Sequence, residues 1–429
     1  MNTSPLNHQE KMDRYKIDHR SAFATIMLSI FIDVLGYSMI LPLLPTIAGD
    51  YFGATEFMIG ILISSNAFAA FCMAPIWGKL SDKYGRKPFL LVSQAGTLAA
   101  FLALGFANSL EGIFLSRILD GIFGGQIPII RAYIIDVTDA KSRSAEIGKI
   151  TGAMAFAMVF GPAIGGLTGV INWRYPAFIA ASLSIFTMFI TVRKLVESMP
   201  KDRISELKQR KQDMKDAGHI PRSILLRKDV LLRLSEFFLI VLAFILINSS
   251  FPLVLKLRYG LDVAMIGLFA SVAGILMVIV GGGLVKRFIK KHGEKKMFII
   301  AMILMISSYL VYPFMYEAWM LLIFVVPYAF GNVFIRTIIM TNLSRAVDED
   351  QQGYVNGIST NMQSVAQIAS PLIAYAYLEL GVAILIGIVF DAYFLIGITG
   401  TITLLLLFII TLYDMKTYPE VFVQKENVN

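Results

Sequence analysis

Apolar residues in this chain come in near-continuous runs separated by short polar segments, with little of the alternation of a strand or the one-sided stripe of a surface helix. The runs approach the roughly 20 residues that an α-helix needs to cross a hydrocarbon core about 30 Å thick. Twelve spans are expected, at 22–43, 58–77, 88–107, 112–135, 147–169 and 174–192, then at 231–255, 265–284, 297–315, 319–342, 355–377 and 392–412. Strands of a membrane barrel would alternate apolar and polar residues over about 10 positions. The pattern therefore predicts an all-α membrane protein.

Composition agrees: 56% of the 429 residues are hydrophobic and 16% are charged, with a mean hydropathy of +0.69, outside the range of water-soluble domains. The polar stretch 1–21 leads into the first span without a small-residue cleavage site, so no cleaved signal is expected. Cys72 is the single cysteine, so an intrachain disulfide is impossible, and its place inside the second span predicts a packed thiol. His8, His19, His219 and His292 all fall in polar segments and read as solvated. With no nucleophile–base set, no metal-ligand spacing and no phosphate-binding GxxxxGK[ST] loop, neither an enzyme nor a resident cofactor is expected.

Basic residues set the expected orientation. Of the 38 Lys and Arg, 32 fall in the termini and alternate loops on one face, including Arg233 in the central loop, and three fall in the opposite loops. Arg117, Arg131 and Arg336 sit within spans. The positive-inside rule then puts both termini and the central loop, 193–230, in the cytoplasm. The net charge of +8 is thereby explained as topology, without a nucleic-acid partner. The expected organisation is a segment 1–21, six spans over 22–192, the central loop, six spans over 231–413 and a tail 414–429.

The halves repeat. An offset of 209 carries Gly148 to Gly357 and Pro162 to Pro371, 210 carries Gly121 to Gly331, and 205 carries Gly78 to a worn counterpart at Gly283. Two related six-helix bundles suit a transporter that rocks one repeat against the other around a midplane site.

Three motifs carry local physics. In "GKLSDKYGRKP", Gly78 lets the end of the second span approach a neighbour, and Asp82 is placed to accept hydrogen bonds at a helix N-terminus. Gly85, Arg86 and Lys87 complete the stretch. "RILDGIFGG" begins at Arg117 in the fourth span, and "GPAIGG" in the fifth supplies Gly161, Pro162, Gly165 and Gly166, where small residues permit close packing and the Pro removes a helix bond. Together with "IDVLGYSMILPLLP" and "LSRAVDEDQQGYVNG", these resemble the major facilitator superfamily. Within it they resemble the drug:proton antiporters with twelve spans, the tetracycline and multidrug efflux branch. The resemblance implies two pseudo-symmetric bundles, export rather than uptake, and a role for Asp82 as a cytoplasmic latch capping the eleventh span near Val355.

Charges inside the bilayer are functional candidates. Asp33 lies about 17 Å along the first span from Ala22 at 1.5 Å per residue, near mid-membrane. It is either paired with Arg117 or the carrier of a coupled proton, since a nearby cation favours the carboxylate and desolvation the acid. Asp120, three residues from Arg117, either joins that network or is the arginine's counter-charge. Arg131 and Arg336 either face a substrate cavity, favouring anions or zwitterions, or snorkel to the interface. Asp136, at the end of the fourth span, is expected to partner the basic loop at the surface. Gln126, Asn248, Gln363 and Gln367 are further candidates for the cavity, with helix-to-helix hydrogen bonding as the other reading.

Tetracycline exporters of the group carry an acid in the third span, whereas "QAGTLAAFLALG" has none and places Ala100 there. That argues against a metal-chelated tetracycline site. The expected protein is a monomeric, multi-pass cell-membrane transporter that exports small amphipathic drugs or metabolites in exchange for protons. The rivals are a symporter or facilitator importing a metabolite, and a non-transporting receptor or scaffold.

Overall fold

The computed structural model describes residues 18–124, 126–138, 142–199, 227–347, 351–385 and 388–422. The N-terminal segment before residue 18, most of the central loop, Gly125, His8, His219 and the end of the tail lie outside the described residues. All twelve predicted spans are helical. In order they are span 1 (His19–Ile40), span 2 (Glu56–Tyr84), span 3 (Arg86–Gly105), span 4 (Leu110–Phe123 and Gln126–Val137), span 5 (Arg143–Ile171) and span 6 (Tyr175–Lys194). The second set is span 7 (Lys228–Tyr259), span 8 (from Val263), span 9 (Glu294–Val311), span 10 (Met320–Arg345), span 11 (Gln352–Leu380) and span 12 (Ala392–Thr417).

Eleven of these are long and apolar enough to cross a membrane by length and composition. Span 11 is the exception. Its 29 residues reach about 43 Å, but Asn356, Ser359, Thr360, Asn361, Gln363, Ser364 and Gln367 dilute its apolar character.

The helices differ from the expected spans where local chemistry intervenes. Span 1 gives way after Ile40 to 3-10 and π turns through Tyr51, because Pro42 and Pro45 have no N–H to continue the ladder. Span 2 runs past Trp77 to Tyr84, so Gly78 and Asp82 are helical rather than in a loop. Span 4 is not continuous: its first half stops at Gly124 and a second half-helix begins at Gln126. Span 8 passes through a π segment, Val280–Leu284, into a basic helix, Val285–His292. Arg233, counted with the central loop in the charge tally although it falls inside the expected span 231–255, is buried within span 7. Cys72, expected to be packed, is exposed. Between spans 11 and 12 a short antiparallel hairpin pairs Val382–Leu385 with Ile388–Asp391, in a stretch that reads simply as apolar in sequence.

Contacts divide the described residues into two compact units. Unit 1 comprises 18–48, 65–199 and Val263–Ser271; unit 2 comprises Gly49–Ser64, 227–262 and 272–422. In unit 1, span 1 packs on spans 5 and 6, and span 3 on spans 4 and 6. Its core includes Ile26, Ile30, Met39, Ile130, Tyr133 and Ile134. Trp77 fills the space between Phe89 and Phe123 and donates its indole N–H to the Ile122 carbonyl at 2.5 Å. In unit 2, span 7 packs on spans 10, 11 and 12. Tyr309 donates to Ala243 O at 2.6 Å and Tyr375 to Ser249 O at 3.0 Å, which satisfies hydroxyls that burial would otherwise penalise.

The repeat extends to backbone conformation. Gly85 (φ 106°) precedes span 3 and Gly293 (φ 80°) precedes span 9, both in a region that residues with a Cβ rarely adopt. An ion pair is shared too, with its signs exchanged. In unit 1, Arg86 at the head of span 3 binds Asp136 of span 4 at 3.2 Å. In unit 2, Glu294 at the head of span 9 accepts two bonds of 2.9 Å from Arg345 of span 10.

Candidate proton and substrate sites

Two of the residues predicted for proton coupling or the cavity, Asp33 and Gln126, meet where span 4 is interrupted. Gln126, the first residue of the second half-helix, is 2% exposed and donates Nε2–H to Asp33 Oδ1 at 2.9 Å. Ser29, one turn before Asp33, is also buried and donates to Gln126 Oε1 at 3.5 Å. Gln94 of span 3 donates to Ser29 Oγ at 2.6 Å and to Thr191 Oγ1 of span 6 at 3.1 Å. A chain of donors thus runs from Gln94 through Ser29 and Gln126 and ends on the half-buried Asp33 carboxyl, joining spans 1, 3, 4 and 6. Ser29 and Gln94 were missed in sequence; the signal was a Gln within the segment noted for lacking an acid.

Arg117 does not pair with Asp33. It is 1% exposed, and its Nη1 reaches Asp120 Oδ2 at 3.4 Å and its Nε reaches Ser116 Oγ at 3.4 Å. Asn66 of span 2 donates to the same Asp120 oxygen at 2.9 Å and to the Arg117 carbonyl at 3.2 Å. Asp120 is therefore the counter-charge of Arg117, one of the two roles predicted for it. Hydrogen bonds join Asp33 to Gln126 and Arg117 to Asp120, and the Asp120 charge also acts on Asp33.

The remaining cavity candidates are dispersed. Arg336 donates to Gln363 Oε1 at 3.0 Å and stands 5.9 Å over the Phe237 ring, so two of them meet in unit 2. Gln367, one turn further along span 11, is half-buried, while Arg131 and Asn248 are exposed. A groove of about 500 Å³ on spans 1 and 5 is lined by apolar residues, including Met27, Phe31 and Phe156. Its Phe31 points about 200° around the helix from Asp33 at roughly 100° per residue, so the groove is not part of the proton site.

In the "GKLSDKYGRKP" stretch, Arg86 is the buried hub. Arg86 is 7% exposed; it pairs with Asp82 at 2.7 Å and Asp136 at 3.2 Å, and donates to Ser81 Oγ at 2.8 Å. Asp136 also accepts from Ser198 Oγ at 3.2 Å, and Lys141 of the basic loop lies outside the described residues. The acid that caps the N-terminus of span 3 is Glu197. Glu197 accepts from the backbone N–H of Arg86 at 2.8 Å, of Lys87 at 2.9 Å and of Met199 at 2.8 Å, where the helix dipole favours an anion. Lys87 Nζ donates to Val192 O at 2.9 Å, closing the same corner. Among the described residues a Cβ on Gly78 would meet nothing within 4 Å, so the close approach expected there is not made by any of them.

The "GPAIGG" motif does make close approaches. A Cβ on Gly161 would strike the Ser38 side chain, and one on Gly165 would fall 2.9 Å from Met39 Cα. Ser38 donates across the same crossing to Ala157 O at 3.1 Å. On the other side, a Cβ on Gly166 would lie 2.8 Å from Val263 O and 3.2 Å from Gly267 Cα, and one on Gly267 would collide with the Pro162 carbonyl. Gly267, in span 8, was missed because only its three-dimensional partner distinguishes it from the many other glycines.

Known proteins extend this picture. The profile of the Major Facilitator Superfamily matches residues 26–371 and 238–427. A tetracycline resistance protein, class H, of Pasteurella multocida is 27% identical over 82% of this chain and 88% of its own. Multidrug resistance protein 1 of Bacillus subtilis is 24% identical over 83% and 90%. Among solved structures, a bacterial homolog of the human lysosomal transporter Spinster superposes with a TM-score of 0.73 at 14% identity, over 96% of this chain and 99% of that one. The human organic anion transporter MFSD10 gives 0.65 at 19% identity, over 92% and 99%. Both share the fold.

Proposed function

The chain belongs to the Major Facilitator Superfamily, a family of multi-pass membrane transporters, and from that premise we propose that it is a proton-coupled antiporter exporting small amphipathic drugs or metabolites by alternating access. The observation that carries the reading is the placement of Asp33. A half-buried carboxyl in the interior of span 1 is held by a side chain from the broken end of span 4, and discontinuous helices of this kind recur at the coupling sites of transporters. Asp33 takes and releases the proton; Gln126, Ser29 and Gln94 orient its carboxyl; the Arg117–Asp120 pair fixes the neighbouring part of span 4. Drug export is supported by the names of the relatives, and cytoplasmic termini by the distribution of Lys and Arg.

The energetics suffice without nucleotide. One proton crossing 100 mV releases about 2.3 kcal/mol and one pH unit adds about 1.4 kcal/mol; together they sustain roughly a 500-fold gradient of a neutral solute. The test is purified protein in liposomes with an imposed pH gradient and a panel of organic cations, zwitterions and anions. Substrate movement opposite to the proton flux, lost in Asp33→Asn, is expected. Substrate moving with the protons would overturn antiport, and full coupling in Asp33→Asn would overturn the role of Asp33.

A further inference from the structure

Span 7 carries a buried charge cluster outside the sites above. Arg233 is 1% exposed, Glu236 is 1% exposed and Asp414 of span 12 is fully buried. Arg233 Nη2 donates to Asp414 Oδ1 at 3.2 Å, its Nη1 stands 3.6 Å from Asp229 Oδ2, and its guanidinium lies 5.3 Å over the Tyr418 ring. Asp229 is held in turn by Arg227 at 2.7 Å. Two guanidinium groups are thus matched by two carboxylates, and Glu236 is a third. Both of its carboxyl oxygens are buried without a hydrogen-bond partner. Thr411 of span 12 presents a hydroxyl beside it, without hydrogen-bond geometry, and the charges acting on it are Asp414 and Arg233. From spans 10 and 11, which pack on the same helix, no charged group among the described residues is recorded as acting on it.

An ionised carboxyl removed from water with neither a cation of its own nor a donor is costly enough that such groups take up a proton instead. We infer that Glu236 is a proton-binding site of unit 2, distinct from Asp33, whose occupancy is set by the Arg233–Asp414 pair. While Asp414 holds the guanidinium, Glu236 keeps its proton. When that pair opens and Asp414 is rehydrated as the carboxylate, Glu236 takes its place on Arg233 and its proton passes to water. The antiport reading is needed only for what this second proton drives; the binding itself is measured without transport.

The experiment is difference infrared spectroscopy of the purified full-length protein in lipid, following the carbonyl stretch of protonated carboxyls through a pH titration. Wild type, E236Q, E236D, D414N and D33N are compared. E236Q is expected to lose one protonated-acid band present at neutral pH, and E236D to keep it at a shifted frequency. D414N is expected to lose it at neutral pH, because the freed guanidinium then pairs with an ionised Glu236. Equal band intensity in E236Q and wild type across the titration overturns the site, as does a band lost in D33N alone. If E236Q does not fold, an unshifted band in E236D overturns it equally. A band retained in D414N overturns the exchange with Asp414. In liposomes, E236Q is expected to move fewer protons per substrate than wild type. Absence of proton flux in the wild type would instead sink the antiport reading while leaving the infrared assignment standing.

Discussion

Glu197→Ala strips the N-terminus of span 3 of the acid that caps it. Three backbone N–H groups, at Arg86, Lys87 and Met199, donate to this carboxylate at 2.8 to 2.9 Å. Hydrogen bonds to charged groups are worth about 1.5–3 kcal/mol each where water cannot replace them. Glu197 is only half-buried, so water recovers part of the loss, and about 2–3 kcal/mol is expected for the set. Glu197→Gln keeps an acceptor but loses the charge–dipole attraction, about 1 kcal/mol. Thermal unfolding of the purified protein, read by the fluorescence of Trp77, Trp173 and Trp319, measures both variants. At about 2 °C per kcal/mol, Glu197→Ala should melt about 5 °C below wild type and Glu197→Gln about 2 °C below. Gly85→Ala should be worse than either, since φ is 106° and the new Cβ would fall 2.6 Å from Glu197 Oε2. Part of that clash disappears once the carboxyl is gone, so Gly85→Ala should cost less in the Glu197→Ala background. An unchanged melting point for Glu197→Ala, or additive costs for the two changes, would refute this account of the corner.

Three further outcomes are expected. Arg345→Met leaves Glu294, 5% exposed, without its guanidinium; a double-mutant cycle with Glu294→Gln should show a coupling of about 1–3 kcal/mol in unfolding, and strict additivity contradicts it. Gly267→Leu should drive spans 5 and 8 apart at the Pro162 carbonyl and abolish exchange while the protein still inserts, with Gly267→Ala intermediate; normal exchange by Gly267→Leu refutes the contact. Gln126→Leu removes the donor to Asp33, a bond of about 1.5–3 kcal/mol, and should slow exchange tenfold or more; an unchanged rate in liposomes would remove Gln126 from the site.

The spans, the repeat and Asp33 were legible because each rests on a strong local signal. A run of about 20 apolar residues has few other uses, and an acid within such a run is too costly to be incidental. What escaped were features made by partners distant in the chain. Asp33 offered no indication that it would meet Gln126 rather than Arg117, because that depends on span 4 breaking at Gly124, and adjacent glycines read equally well as packing residues. Glu197 sits 111 residues from the Arg86 N–H it accepts, in a segment that looked like ordinary polar loop. Cys72 was expected to be packed since thiols usually are, yet it is exposed, and an exposed position within an apolar run reads in sequence like a buried one.

The exchanged ion pair explains why Glu197 is needed. The head of a helix favours an acid, and in unit 2 one residue serves both demands: Glu294 lies in the first turn of span 9, answers its dipole and pairs with Arg345. In unit 1 the equivalent pair is reversed, so the first turn of span 3 carries Arg86 and Lys87, the wrong sign for its dipole. Asp136 and Asp82 neutralise the guanidinium, while the backbone N–H groups at the head of span 3 still need an acceptor. Those groups require a second acid from elsewhere in the chain, and Glu197, just beyond span 6, supplies it. Sequence comparison of the halves hides this relationship, because the second half keeps the ion pair and not the residue types. The same reasoning accounts for the two positive-φ glycines: each half must turn its chain sharply between its second and third helices for the head of the third to reach its partner, whichever sign that partner carries.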